Sequence, residues 1–220
     1  PLHRPATAGD IAVLCPRHSM ADRYAAALRQ AGIPVRKRAS GWLDSPAVLV
    51  TRHAMAWAAD PGDRHAALTV LTLGPPGIPL DEALQWLVDG RLEQHPALAG
   101  LRALFPDAAA LPLETLLARV RVTAGIPDWA AGLPDPQQAH GDLMRLEAEV
   151  RAFASAHPDH KAAVGFHGDS VQAFLGWLEH RSTQRDADQR PDPGHGAVAG
   201  VDIVTWHSAK GREWPITLVV

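Results

Sequence analysis

The stretch VDIVTWHSAKGREWPITLVV, residues 201–220, decides how the rest of the chain is read. Residues 200–206 and 216–220 are apolar and rich in β-branched side chains, as strands are, while the centre is polar. Strand, charged loop and second strand together indicate an α/β sheet. A loop that leaves the end of a parallel strand opens into the ligand crevice of such a sheet. There Lys210 and Gly211 suit the approach of a phosphate, and Glu213 suits a ribose hydroxyl. His207 and Trp206 suit a nucleic-acid strand. The competing reading is a polar loop with a capping Ser208 and a solvated trio of Lys210, Arg212 and Glu213.

Working outward, residues 10–15 (DIAVLC) form a second short apolar run, read as a buried strand. Ser19 offers an N-cap, and Tyr24, Ala25 and Leu28 follow at helical spacing up to Gly32. Residues 33–35 read as the next strand, so the chain opens on a β-α-β unit. Pro46 suits a helix start, and 47–59 is helical by composition until the turn DPGD at 60–63. The middle shows helices only. Leu80, Ala83, Leu84, Leu87 and Val88 make one apolar stripe, Leu113, Leu116, Leu117 and Val120 a second. Leu143, Leu146, Val150 and Phe153 make a third, and Val171, Phe174, Leu175 and Leu178 a fourth, all expected in a helical core. Trp42, Trp57, Trp86, Trp129 and Trp177 belong to the same apolar contexts. Residues 181–196 are polar and read as a linker, and the chain stops inside an apolar strand, which leads us to expect a longer parent.

Composition bounds the classes. With 46% hydrophobic and 20% charged residues in 220, the chain carries enough apolar surface to fold as one large domain or two small ones. It has no run long enough to span a membrane and no signal-peptide pattern, and its single cysteine excludes an internal disulfide; a cytoplasmic location is expected. The net charge of −3 divides unevenly, with 11 Lys+Arg against 18 Asp+Glu in 61–198 and 10 against 6 elsewhere. Basic ends around an acidic middle suggest two physical units, with polyanions meeting the ends.

Residues 201–220 resemble a known family. Thr205, His207, Lys210, Gly211, Glu213, Trp214 and Pro215 match the motif V pattern of UvrD/Rep-type superfamily-one DNA helicases, with Arg212 in place of the usual Leu. That family includes the motor subunits of the RecB and AddA helicase–nucleases. GDIAVLCPRHSMADRYAAALRQAGIPV at 9–35 is similar to the motif IV segment, and 41–71 resembles the stretch after it. QAFLGWLEHR at 172–181 resembles the helix before motif V, whereas 75–170 match only by helical content.

The resemblance implies an α/β fold with a RecA-like parallel sheet domain, of the P-loop NTPase type but without the P-loop, interrupted by a mostly helical inserted subdomain. Residues 1–60 plus 199–220 would be the second motor domain (2A), incomplete at its C-terminus, and 61–198 the insertion (2B-like). It implies a fragment of an ATP-dependent 3′–5′ DNA helicase of recombination and repair, supplying half of an ATP site and part of a single-strand track. ATP with Mg2+ would be held mainly by the first motor domain, which is an expected partner beside single- and double-stranded DNA and further helicase–nuclease subunits. Glu213, Gly211 and Lys210 would serve the nucleotide, while His207, Thr205, Trp206 and Arg212 would serve the DNA. A gapless match sets Pro16 where the motif IV arginine belongs, so Arg17, one residue on, is the candidate γ-phosphate contact.

The chain has no G-x-x-x-x-G-K-[ST] and no acidic pair after an apolar strand to hold magnesium, so no ATP hydrolysis is expected from it alone. Its 12 His include no H-E-x-x-H, and no metal site is expected. The non-catalytic alternative is an adaptor module derived from a motor domain, because core stripes and docking faces share one periodicity.

Overall fold

The structure, a computed structural model, describes residues 4–37, 41–183, 188–191 and 200–220. It falls into two units, residues 1–40 with 189–220, and residues 41–188.

The first unit is a four-stranded parallel sheet. Its strands are β1 (Ile11–Cys15), β2 (Val35–Lys37), β3 (Val201–Thr205) and β4 (Ile216–Val219), in the order β2-β3-β1-β4. The central pair runs in register from Ala12 beside Asp202 to Cys15 beside Thr205, and Ile11–Leu14 pairs with 216–219 on the other side. The expectation of one parallel sheet drawn from both ends of the chain is therefore met, across an excursion of more than 160 residues.

Helix α1 (His18–Gln30) covers one face of this sheet. Strand alternation turns Val13, Cys15, Val201 and Ile203 to that face, where Ala21 and Ala25 of α1 complete a small core. The helix starts one residue ahead of the expected cap. Arg17 is its extended N-cap and makes no side-chain cap bond, so Ser19 lies inside the first turn. Strand β2 begins two residues later than the sequence suggests. The Ile33 amide donates to the Leu28 carbonyl and so closes the helix end, and Pro34, which has no amide, meets β3 only by accepting the Val201 amide on its carbonyl, so Val35 is the first paired residue.

The second unit is helical: α2 (Pro46–Ala59), α3 (Arg64–Leu73), α4 (Leu80–Val88), α5 (Pro96–Arg102), α6 (Phe105–Ala108), α7 (Leu113–Thr123), α8 (Ile126–Ala131), α9 (Pro136–Ser155), α10 (Pro158–Ala163) and α11 (Val171–Ser182). Among its described residues there is no strand. Helix α2 runs through its middle against α3, α5, α7, α9 and α11. Small residues permit this, because Ala47, Val48, Val50, Thr51, Ala54 and Ala58 let neighbours approach from several sides. Trp57 is buried in the same helix and its Nε1 donates to the Leu98 carbonyl at 3.0 Å, which satisfies the one polar atom of the ring. Phe153, Phe174 and Trp177 make an aromatic cluster with centroids 5.4–6.3 Å apart.

Three expectations change. The boundary placed at residue 60 moves to 40, because α2 finds its apolar partners in the helical unit. The polar stretch from 181 opens as helix, since α11 continues through Ser182; 184–187 and 192–199 lie outside the described residues. The stripe on α4 is only half buried. Ala83 is enclosed and Trp86 and Leu87 pack partly on the core, but Leu80, Leu84 and Val88 are exposed. The other three stripes are core, with Leu175 partly buried. Trp42, Trp57 and Trp177 are buried, while Trp86 and Trp129 pack on the core's border.

The two ends of the helical unit are tied to each other. The Gly41 amide donates to Asp188 Oδ2 at 2.8 Å, and the Trp42 amide donates to the Asp188 carbonyl at 3.0 Å. Trp42 is anchored in turn by its Nε1, which donates to the Asp142 carbonyl, and by the Arg145 guanidinium 4.0 Å over its ring.

Candidate functional site

The connection from β1 through α1 to β2 passes β3, and the connection from β3 to β4 passes β1 in the opposite direction. The strand order reverses between β1 and β3, so their carboxyl ends flank the topological switch point, where open parallel sheets take ligands. Two chain segments leave there: Pro16 and Arg17 from β1, and Trp206 to Pro215 from β3. The Trp206 amide donates to the Cys15 carbonyl at 3.0 Å and binds the two strand ends together.

The loop after β3 is built from its base. Thr205 is buried, its hydroxyl lies 2.9 Å from that of Ser208, and its carbonyl accepts from the Ala209 amide, which winds one helical turn at the crest. The Arg212 amide then donates to the Ala209 carbonyl across Gly211, whose φ of +80° is the left-handed conformation that glycine takes without strain. Beyond it the chain descends along the sheet face opposite α1. Trp214 Nε1 donates to Asp202 Oδ2 at 2.7 Å, and the same oxygen accepts from Arg36 at 2.9 Å. Asp202 is partly buried, and these two donors compensate its charge.

This arrangement presents charge outward. Trp206, His207, Lys210, Gly211, Arg212 and Glu213 are exposed, and so is Arg17. None of the side chains of Arg17, His207, Lys210, Arg212 and Glu213 has an ion-pair or hydrogen-bond partner among the described residues. Arg17 and the crest share the switch point because they follow registered neighbours, Cys15 and Thr205. Glu213 belongs instead to the descending limb, one residue before the anchored Trp214. It pairs with neither Arg17 nor Arg212, and the turn is capped by Thr205 and Ser208 rather than by His207. Arg17 also precedes the free amides of the first turn of α1, so positive charge follows the end of β1 as Lys210 and Arg212 follow that of β3.

No protein-family model matches the chain, and neither does any curated protein. The site therefore rests on its geometry.

Two anchors escape a reading of the sequence by motif. Asp202 sits between apolar neighbours in a strand, and a carboxylate there demands a buried donor, which was the available signal. Arg36 supplies it from β2. Cys15 has no exposed surface, and burial pushes its thiol pKa up against the opposing influence of Lys37, as suits a packing residue. Among the described residues, no group of three or more His, Cys, Asp and Glu side chains is placed to hold a metal ion, and no helix is long and apolar enough to cross a membrane.

Proposed function

We propose that the sheet unit is a RecA-like second motor domain of an ATP-dependent 3′–5′ DNA helicase of recombination and repair, with the helical unit as its inserted subdomain. The observation that carries this reading is the loop at 206–215, which leaves the switch point with exposed Lys210 and Arg212 while exposed Arg17 follows the neighbouring, registered strand end. Its residues match the helicase motif V pattern at seven positions. The charge supports it too, since the sheet unit holds 10 Lys+Arg against 5 Asp+Glu and the helical unit 11 against 19.

In this reading the first motor domain holds most of ATP and its Mg2+. Arg17 contacts the γ-phosphate, Glu213 accepts from the ribose, and Lys210 and Gly211 approach the phosphates. Trp206 and His207 stack on or hydrogen-bond the single strand, with Thr205 and Arg212 supporting the same track. The loop couples the two ligands through its rigid base, because a shift of the Glu213 limb is transmitted through the turn that Thr205 and Ser208 hold.

The test is anisotropy of a labelled oligo(dT) titrated with the 220-residue chain at several salt concentrations. Weak binding that tightens as salt falls is expected, with Arg212→Ala flattening the salt slope by about one counterion. The chain alone should show no ATPase. An unchanged slope for Arg212→Ala, or DNA-stimulated turnover by the chain alone, would overturn the assignment.

A further inference from the structure

Helix α4 has a second apolar face. Leu80, Leu84 and Val88 recur at i, i+4 and i+8 in one line, and they are 58%, 42% and 80% exposed. Ala83 on another side is fully buried, and Trp86 and Leu87 pack partly on the core, so the helix already has its contact with the bundle. Single exposed apolar side chains are ordinary on any protein; three aligned on a helix of nine residues are a surface.

A polar strip of Asp81, Gln85 and Asp89 runs beside that line, with Glu82 further round the first turn. Asp89 is already engaged by Arg91 and Gln85. Asp81 and Glu82 are exposed and have no ion-pair partner among the described residues, in the unit that carries the chain's negative excess.

We infer that this face docks an amphipathic helix of another protein whose apolar stripe is flanked by lysine or arginine. Charge selects that occupant. A basic flank would meet the unspent carboxylate of Asp81, which borders the line, while its apolar residues cover Leu80, Leu84 and Val88, and Glu82 adds negative charge to the same turn. A second copy of this chain fits worse. Antiparallel pairing of two α4 helices about a twofold axis sets both acidic flanks on the same side of the contact, so like charges adjoin. The helix is about 13 Å long, room for two turns of a partner and for anchors at i, i+4 and i+7.

The experiment titrates the isotope-labelled full chain with a synthetic peptide of about 18 leucines and lysines, all leucines on one helical face. Two controls accompany it: the same composition scrambled, and a version with glutamate for lysine. The expected result is amide shifts confined to 80–88 with the first peptide alone. Leu84→Asp and Val88→Asp should each weaken binding by about tenfold or more, and Asp81→Asn by several-fold. Val122→Asp, on the 76% exposed Val122 of α7, should change nothing. Circular dichroism checks each fold, and the exposure of Val88 keeps its variant safe. Equal binding of the scrambled or glutamate peptide, shifts outside α4, or a dimer in sedimentation that Leu84→Asp dissolves would each overturn the inference.

Discussion

Asp202 and Trp214 hold the lower end of the loop as Thr205 and Ser208 hold its crest. Trp214→Phe keeps the ring and removes one hydrogen bond to a charged acceptor. It should lower the stability of the sheet unit by about 1.5–3 kcal/mol, read by chemical denaturation, and, on the proposed function, lower DNA affinity through a loosened loop. Glu213 and His207 lie on different limbs, so their substitutions should separate. In an assembled helicase, Glu213→Ala should weaken nucleotide binding by about 1–3 kcal/mol and spare DNA, because it removes an acceptor from the descending limb. His207→Ala should spare the nucleotide and reduce stimulation by single strands. Titrating each ligand against both variants checks this; equal losses of both ligands would mark a merely structural loop.

At the scale of elements, equal patterns carry unequal energies. Phe153 and Leu84 both sit in apolar stripes, but Phe153 is fully enclosed by Phe174 and Trp177 while Leu84 is 42% exposed. Phe153→Ala should cost the helical unit about 3–5 kcal/mol and Leu84→Ala less than about 1 kcal/mol, measured by urea unfolding. The contrast explains what could be read in advance. Periodicity reports that a helix has an apolar side, and it identified the cores of α7, α9 and α11. It does not report whether two sides are apolar or what covers each, and on α4 it merged a buried face with an open one. The strands were legible because apolar β-branched runs flank a charged loop. The Arg36–Asp202–Trp214 anchor was not, since its partners are separated by 166 and 12 positions and meet only in the folded sheet.

The two units should respond to acid in different windows. His53, half-buried in α2 and edge-on to His65 at 5.0 Å, has its pKa lowered to about 4, first by burial and then by Arg52. The unfolded chain, with an ordinary histidine near ~6.5, then binds the proton more readily, so stability is full above that value and falls as pH drops toward 4. The loss should amount to about 1–2 kcal/mol for a ring that solvent partly screens, and His53→Phe should abolish it. Asp10 in the sheet unit is held well below the usual carboxylate range, chiefly by the two guanidinium bonds of Arg4 and then by the amide and hydroxyl of Thr7. Its contribution is present above about pH 4 and is lost only as pH falls further. Circular dichroism and tryptophan fluorescence followed from pH 7 to 2 should show the helical unit weakening first.

The clasp of Gly41 and Trp42 on Asp188 has a kinetic corollary. β2 and β3 are neighbours, yet β2 ends at Lys37 and β3 begins at Val201, so an unfolded intervening chain would have to surrender the entropy of a very large loop before the first ladder bond forms. Once the bundle has folded, its two ends stand a hydrogen bond apart, and the loop to be closed shrinks to the short tethers on either side. Loop-closure scaling makes that head start worth about 2 kcal/mol. The bundle should then act as a template that delivers two distant strands to each other, with the sheet as the late event of folding. Loosening the clasp with Asp188→Ala should slow the appearance of the sheet while leaving the earlier helical phase unchanged in stopped-flow refolding.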